Sequence, residues 1–167
     1  MNQAELTKDA IQLLCDLIET SSFSGEESQT ADCIQAWLAN YGIETQRSQN
    51  NVFAFNKHHD PNKPYLLLNS HHDTVTPNKA YTRNPHKAEI HQGRLYGLGS
   101  NDAGGALVSL IALFTYFYDR EDLKYNLVLA ATAEEESSGP NGLNSLLEIL
   151  PKIDVAIVGE PTQMQLA

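Results

Sequence analysis

Cysteine is scarce. The 167 residues contain two, Cys15 and Cys33, and neither lies in a C-x-x-C pair or beside a histidine. That excludes a disulfide-framed scaffold and a thiolate metal cluster. Both read as reduced thiols on helix faces of a cytoplasmic protein, with one disulfide between those helices as the alternative. Positive charge is scarce too: 11 lysines and arginines stand against 21 aspartates and glutamates, a formal charge of −10. That argues against nucleic acid as a partner, and no basic patch is left for a membrane surface. A cationic ligand or a metal suits this balance better. No apolar run reaches the length of a bilayer span; "LVLAA" and "AIVG" are strand-sized. The first residues, "MNQAELTKDAIQLL", show no basic region leading into an apolar one, so no signal peptide is read. No internal repeat and no low-complexity segment occurs.

What is present is a pattern of alternating helices and strands. Leu6, Ala10, Leu13, Leu14, Leu17 and Ile18 share one helical face. "SGEE" offers a capping box, Ser24 as N-cap and Glu27 three residues on. The helix it would open carries Thr30, Ile34, Trp37, Leu38 and Tyr41 toward the core and stops at Gly42. "IETQR", "VFAFN" and "YLLLNS" read as strands, with His58 and His59 solvated in the turn "HHDPNKP". "AEIHQGRLYG" reads as a hairpin turning at Gln92-Gly93. "DAGGALVSLIALFTYFYD" reads as a buried helix, "NLVLAAT" as a strand, "NGLNSLLEIL" as a short helix and "DVAIVGE" as a last strand. Such alternation predicts an α/β layered domain around a largely parallel sheet.

In such sheets ligands bind beyond the carboxyl ends of the strands. The chemistry-bearing residues cluster there. "YLLLNS" runs into His71, His72 and Asp73, "NLVLAATA" into Glu134, Glu135 and Glu136, and "VAIVG" into Glu160; Asp102 lies in the glycine-rich "LYGLGSNDAGG". Three adjacent glutamates repel one another unless something positive compensates them. A mixed His/Asp/Glu set selects a borderline metal such as zinc or cobalt(II), where calcium or magnesium would take oxygen alone. More carboxylates than one metal needs suggests two ions, one carboxylate bridging them.

At these residues the sequence resembles a known family. "SHHDTVTP", "YGLGSNDAGG", "TAEEESSGPNG" and "IVGEPT" resemble, in order, four motifs of the acetylornithine deacetylase, succinyl-diaminopimelate desuccinylase and carboxypeptidase G family of di-zinc amide hydrolases. The resemblance implies a three-layer α/β/α catalytic domain of the zinc-peptidase kind, with a mixed, largely parallel sheet. It implies His71 and Glu160 as ligands of one metal, Glu136 as a ligand of the other, and Asp102 as the bridge. Asp73 would bond the far ring nitrogen of His71. Glu135 would be the general base for metal-activated water, a reading that separates it from Glu134 by register alone. The Asp102–Ala103 bond is expected to be cis. Two zinc or cobalt ions and an N-acyl amino acid substrate are implied. Gly104 stands where the family often has lysine. With "GLGSNDAGGALVSL" as a whole, that departure is most similar to the acetylornithine or acetylcitrulline deacetylase branch of arginine biosynthesis.

Family members are longer. The resemblance therefore implies that residues 1–167 are the amino-terminal part of a catalytic domain, without its lid and its later return. No histidine follows His91, so a last ligand of the second metal is missing. The expectation is a chain that turns over substrate poorly alone, exposes apolar surface and self-associates, and a complete protein that forms a homodimer. An aminopeptidase or dipeptidase of the same metal architecture, and a metal-binding module without catalysis, are the alternatives.

Overall fold

The computed structural model describes residues 2–162. Helix α1 spans Gln3–Glu19, and the Asn2 side chain caps it by accepting from the Ala4 amide at 3.0 Å. Its buried residues are the six picked out by periodicity. Helix α2 spans Ser28–Asn40 and buries Thr30, Ala31, Ile34 and Leu38. The expected capping box does not form. Gly25 has φ +90°, which is incompatible with a first helical turn, so the helix starts later, after Glu27, with no side-chain cap. Ser24 and Glu27 point elsewhere.

Trp37 and Tyr41 are half-buried and pack against the margin of the core. They latch α2 to α1: the Trp37 indole N–H donates to the Asp9 carbonyl at 3.2 Å, and the Tyr41 hydroxyl to the Asp9 carboxylate at 2.6 Å. Burial, then the bond to Asp9 and the charges of Asp9 and Glu5, push the Tyr41 phenol up to about 12. A raised folded value favours the neutral phenol. Its stabilising contribution is therefore whole below pH ~10, the ordinary tyrosine value, and is lost as pH rises through about 12. Titration at 295 nm will show one of the seven tyrosines ionising late, and Tyr41→Phe will remove that late step.

The strands are β1 (Gln46–Ser48), β2 (Asn51–Phe55), β3 (Tyr65–His71), β4 (Glu89–His91), β5 (Arg94–Tyr96), β6 (Asn126–Thr132) and β7 (Val155–Val158). Helices α3 (Gly105–Phe117) and α4 (Leu143–Leu147) complete the elements used below. The main sheet runs β1-β2-β6-β3-β7. Its β6–β3 and β3–β7 pairings are parallel, but β1–β2 and β2–β6 are antiparallel. The sheet is mixed, with half its pairings parallel. The short link from β1 to β2 allows only a hairpin, because a parallel neighbour needs a crossover of a dozen or more residues. The β4–β5 hairpin turns at Gln92 (φ 51°) and Gly93 (φ 74°), as the sequence predicts.

Both sheet faces are covered. Alternate residues Val52, Ala54, Leu68, Leu127, Leu129 and Ala131 meet α1, α2 and α3, around the fully buried Phe114. The opposite set, Phe53, Leu67, Val128 and Ala130, meets Leu146 and Leu150. This is the three-layer arrangement, with one thin layer. At the edge, Val155, Ile157 and Val158 of β7 are exposed. Cys15 and Cys33 are free thiols, on α1 and α2. His58 contacts Asp119 and His59 contacts the Tyr65 hydroxyl, both at the surface. No helix among the described residues is long and apolar enough to cross a membrane.

Candidate metal centre

Parallel pairing of β6, β3 and β7 puts their carboxyl ends on one edge: His71 lies opposite Thr132, and Asn69 opposite Val158. The antiparallel β2 brings its amino end there, so Asn50 and Asn51 join the same edge. His71, the last residue of β3, is buried. Its Nδ1 faces Asp73, 3.0 Å from the backbone carbonyl and 3.3 Å from the carboxylate. That arrangement places a proton on Nδ1 and aims Nε2 outward. Nε2 lies 3.2 Å from Asp102, 3.6 Å from Glu160 and 3.8 Å from Glu135. His72, one residue on, points to the other side of the strand. It meets the Thr30 hydroxyl at 2.8 Å and the Asn50 carbonyl at 3.1 Å, and burial pulls its pKa down to about 4. It takes no part in the centre.

Asp102 sits in an irregular turn, Ser100–Gly104, where Asp102 itself is extended (φ −115°, ψ 99°) and the Asp102–Ala103 peptide is cis. Gly104 closes the turn, its amide donating to the Gly99 carbonyl at 2.8 Å. A Cβ there would lie 2.6 Å from that carbonyl oxygen and 2.7 Å from Leu14 Cδ1. Lysine, the residue common in the resembling family, does not fit this turn without a shift. Gly104→Ala is expected to cost about 1–3 kcal/mol by overpacking, read as a lower urea midpoint at unchanged slope.

The glutamate run begins two residues past β6. Glu134 has φ 54°, and its carboxylate turns back to the Asn141 amide (3.1 Å) and side chain (2.8 Å). Glu135 and Glu136 point to His71 instead. Two sets of donor atoms lie within 4.8 Å of one another: His71, Asp102 and Glu136, and His71, Glu135 and Glu160. All the anticipated ligands and the anticipated base converge, and Glu134 stays out. The grouping differs from the expected one, which set Glu160 with Asp102 and left Glu135 aside. The carboxylates share the one imidazole, and no lysine or arginine is paired with them among the described residues.

The electrostatics agree with this crowding. Burial pulls the His71 imidazolium down, but the Asp73 hydrogen bond and the charges of Asp73, Glu160 and Glu135 outweigh it and raise the group to about 9. Burial and then the neighbouring Asp102, Asp73 and Glu135 carboxylates push Glu136 up against the pull of His71. Glu160 is raised by burial and by Glu135, Asp102 and Glu136, again against His71. Asp73 is the exception: burial raises it, yet bonds from His71, Ser24 and the amides of Glu135 and Glu136 hold it below the usual carboxylate range. One imidazole nitrogen and four carboxylates around it form a donor set that fits zinc or cobalt(II). A cavity of about 290 Å³ beside the cluster, lined by Asn69, Thr132, Ser138 and Asn144 with Glu135 and Glu160, leaves room for a small ligand.

Sequence reasoning missed Ser24, Glu27 and Asn50. The Ser24 hydroxyl donates to Asp73 Oδ2 at 2.7 Å. Glu27 is fully buried and accepts from the Glu134 amide at 3.1 Å, the Gly25 amide at 2.6 Å and the Asn50 side chain at 2.8 Å. S-x-x-E spacing fits a helix cap equally well, and only the backbone at Gly25 decides between the two uses.

The profile of peptidase family M20/M25/M40 matches residues 67–167. A succinyl-diaminopimelate desuccinylase 2 of Ruegeria sp. (strain TM1040) is 28% identical over 98% of this chain and 44% of its own. A Pyrococcus furiosus protein provisionally named LysW-lysine/LysW-ornithine hydrolase is 34% identical over 93% of this chain and 42% of its own. Among solved structures, the Bacillus subtilis YXEP protein, described as a dinuclear metal binding peptidase from the M20 family, superposes with a TM-score of 0.69. It is 19% identical, over 95% of this chain and 43% of its own, and shows likeness of fold. The fold and the donor cluster thus define an α/β domain of the metallopeptidase kind. The chain belongs to peptidase family M20/M25/M40. It spans less than half the length of the curated relatives it matches.

Proposed function

We propose that this chain is the amino-terminal part of the catalytic unit of a metal-dependent hydrolase that cleaves the amide bond of N-acyl amino acids. The observation that carries the reading is the meeting of one imidazole and four carboxylates at a single sheet edge. The name of the Ruegeria relative, a succinyl-diaminopimelate desuccinylase, supports an N-acyl amino acid substrate. Within that class, acetylornithine or acetylcitrulline, and a place in arginine biosynthesis, rest on the segment "GLGSNDAGGALVSL". A cytoplasmic homodimer as the complete protein belongs to the same reading, as does self-association of this chain through the exposed β7 edge.

In this reading His71, Asp102, Glu136 and Glu160 would hold two zinc or cobalt(II) ions. Bound there, the ions supply the positive charge that acidifies a water and steadies a developing oxyanion. Glu135 takes the proton of the attacking water and delivers it to the departing amine nitrogen. Asp73 fixes the ring of His71 and the backbone of Glu135 and Glu136. A last histidine ligand and a substrate-gripping lid are expected from sequence outside these residues.

The test offers the complete zinc-loaded protein acetylornithine, acetylcitrulline, succinyl-diaminopimelate and a dipeptide, and measures the free amine released. Release from an N-acyl amino acid is expected. Cleavage of the dipeptide alone would shift the reading to an aminopeptidase or dipeptidase. Tight zinc binding without any turnover would leave a metal-binding module.

A further inference from the structure

Glu135 and Glu136 have to aim at one small region although their like charges push them apart. Packing does not hold Glu135, whose side chain is 53% exposed. Its direction therefore rests on its backbone and on the attraction of His71, 3.8 Å away. Three consecutive amides of that backbone end on two carboxyl groups buried behind the turn: Glu134 on Glu27 Oε1, Glu135 on Asp73 Oδ1 and Glu136 on Asp73 Oδ2, each at 3.1 Å. Asp73 has only two oxygens, and both are committed to Glu135, Glu136 and the Ser24 hydroxyl. The third amide needs a second carboxyl. Glu27 supplies it across 107 residues of sequence and is itself fixed by Gly25 and Asn50. The tethered residue is Glu134, at φ 54°, a left-handed conformation that a non-glycine residue keeps only when its surroundings impose it.

We propose that Glu27 is a positioning residue that holds the Glu134–Glu136 turn and so aims Glu135 and Glu136. The inference rests on the reading of Glu135 as the general base. Loss of the tether leaves the Glu134 amide without its acceptor and leaves the Asp73 bonds and the Glu134–Asn141 bonds in place, so the effect falls on alignment rather than on assembly of the centre.

The test uses the complete zinc-loaded protein with the variants Glu27→Ala, Glu27→Gln and Glu135→Gln, read by kcat, KM and residue-resolved amide exchange. Glu27→Ala is expected to lower kcat about 10- to 100-fold, the scale of a small misalignment, with KM within about twofold. The Glu134 amide should exchange at least ~10-fold faster while Leu129 and Ala130 in β6 keep their protection, a local opening. Glu27→Gln retains an acceptor oxygen for Glu134 and should recover most of both losses. If Glu27→Ala fails to fold, Asn50→Ala, which removes the bond to the far oxygen of Glu27 together with the Arg47 bond to Asn50 Oδ1, should give the same local pattern at about threefold. Unchanged kcat and Glu134 exchange in a folded variant, or exchange that rises equally throughout β6, would overturn the proposal. Should Glu135→Gln keep full turnover, the reading of Glu135 as base falls, and the exchange data alone still decide whether Glu27 holds the turn.

Discussion

Asp102→Ala is expected to weaken zinc binding at least ~100-fold while leaving the metal-free fold within about 0.5 kcal/mol of the parent. The two halves of that expectation come from one fact. The Asp102 side chain is 55% exposed, so its removal opens no cavity, yet it comes within 3.2 Å of the His71 nitrogen that faces the donor cluster. His71→Ala would be a poorer experiment. It would empty a buried position and remove the imidazole from the fully buried Asp73, leaving that carboxylate only Ser24 and the Glu135 and Glu136 amides. Titration calorimetry on metal-stripped protein measures the first half. Thermal melts with and without zinc measure the second, since a ligand at 100 times its Kd stabilises the folded state by about 2.7 kcal/mol. Zinc binding by Asp102→Ala equal to that of the parent would remove Asp102 from the centre.

Glu135→Gln is expected to lower kcat of the complete protein by about 10²- to 10⁴-fold, the range for losing a general base, and to leave zinc affinity within about threefold. The substitution conserves shape and removes only the ability to take a proton. It also separates two groupings of the same residues. Geometry places Glu135 with His71 and Glu160 in one donor set, whereas the proposed mechanism keeps it free of the metal. A variant that loses zinc and turnover together makes Glu135 a ligand. One that loses turnover alone makes it the base.

Much of the frame was legible before any coordinates. The six apolar residues of α1, the continuous apolar run of β6 and the Gln92-Gly93 turn each carry a local signal, and each folds as that signal says. The site was legible for a different reason: placing His71, Glu134–Glu136 and Glu160 after apolar runs amounts to placing them at one edge, provided those strands lie parallel. They do. The failures share a cause. Ser24 and Glu27 were assigned to the nearest helix because sequence spacing sees only local partners, and their actual partners are 49 and 107 residues away. Trp37 and Tyr41 were assigned to the core on helical spacing; they pack at its margin, and the spacing did not show that their polar atoms reach Asp9. A mixed sheet was expected, but not that half its pairings are antiparallel, because β1 is only three residues long, too short for its pattern to declare a direction.

Because His71, the glutamate turn and Glu160 hang from three adjacent parallel strands, the sheet acts as a ruler for the centre. Strand spacing, about 4.8 Å, sets the lateral steps between donors, and the pairing register sets their height. A one-residue slip of β3 against β6 would shift His71 by about 3.3 Å and turn its side chain to the opposite face. The turn 58–63 lies at the other end of the same strands and touches none of the donors. Chain length can change there without moving the ruler's marks, so variation among relatives should accumulate at that end and be resisted at this one.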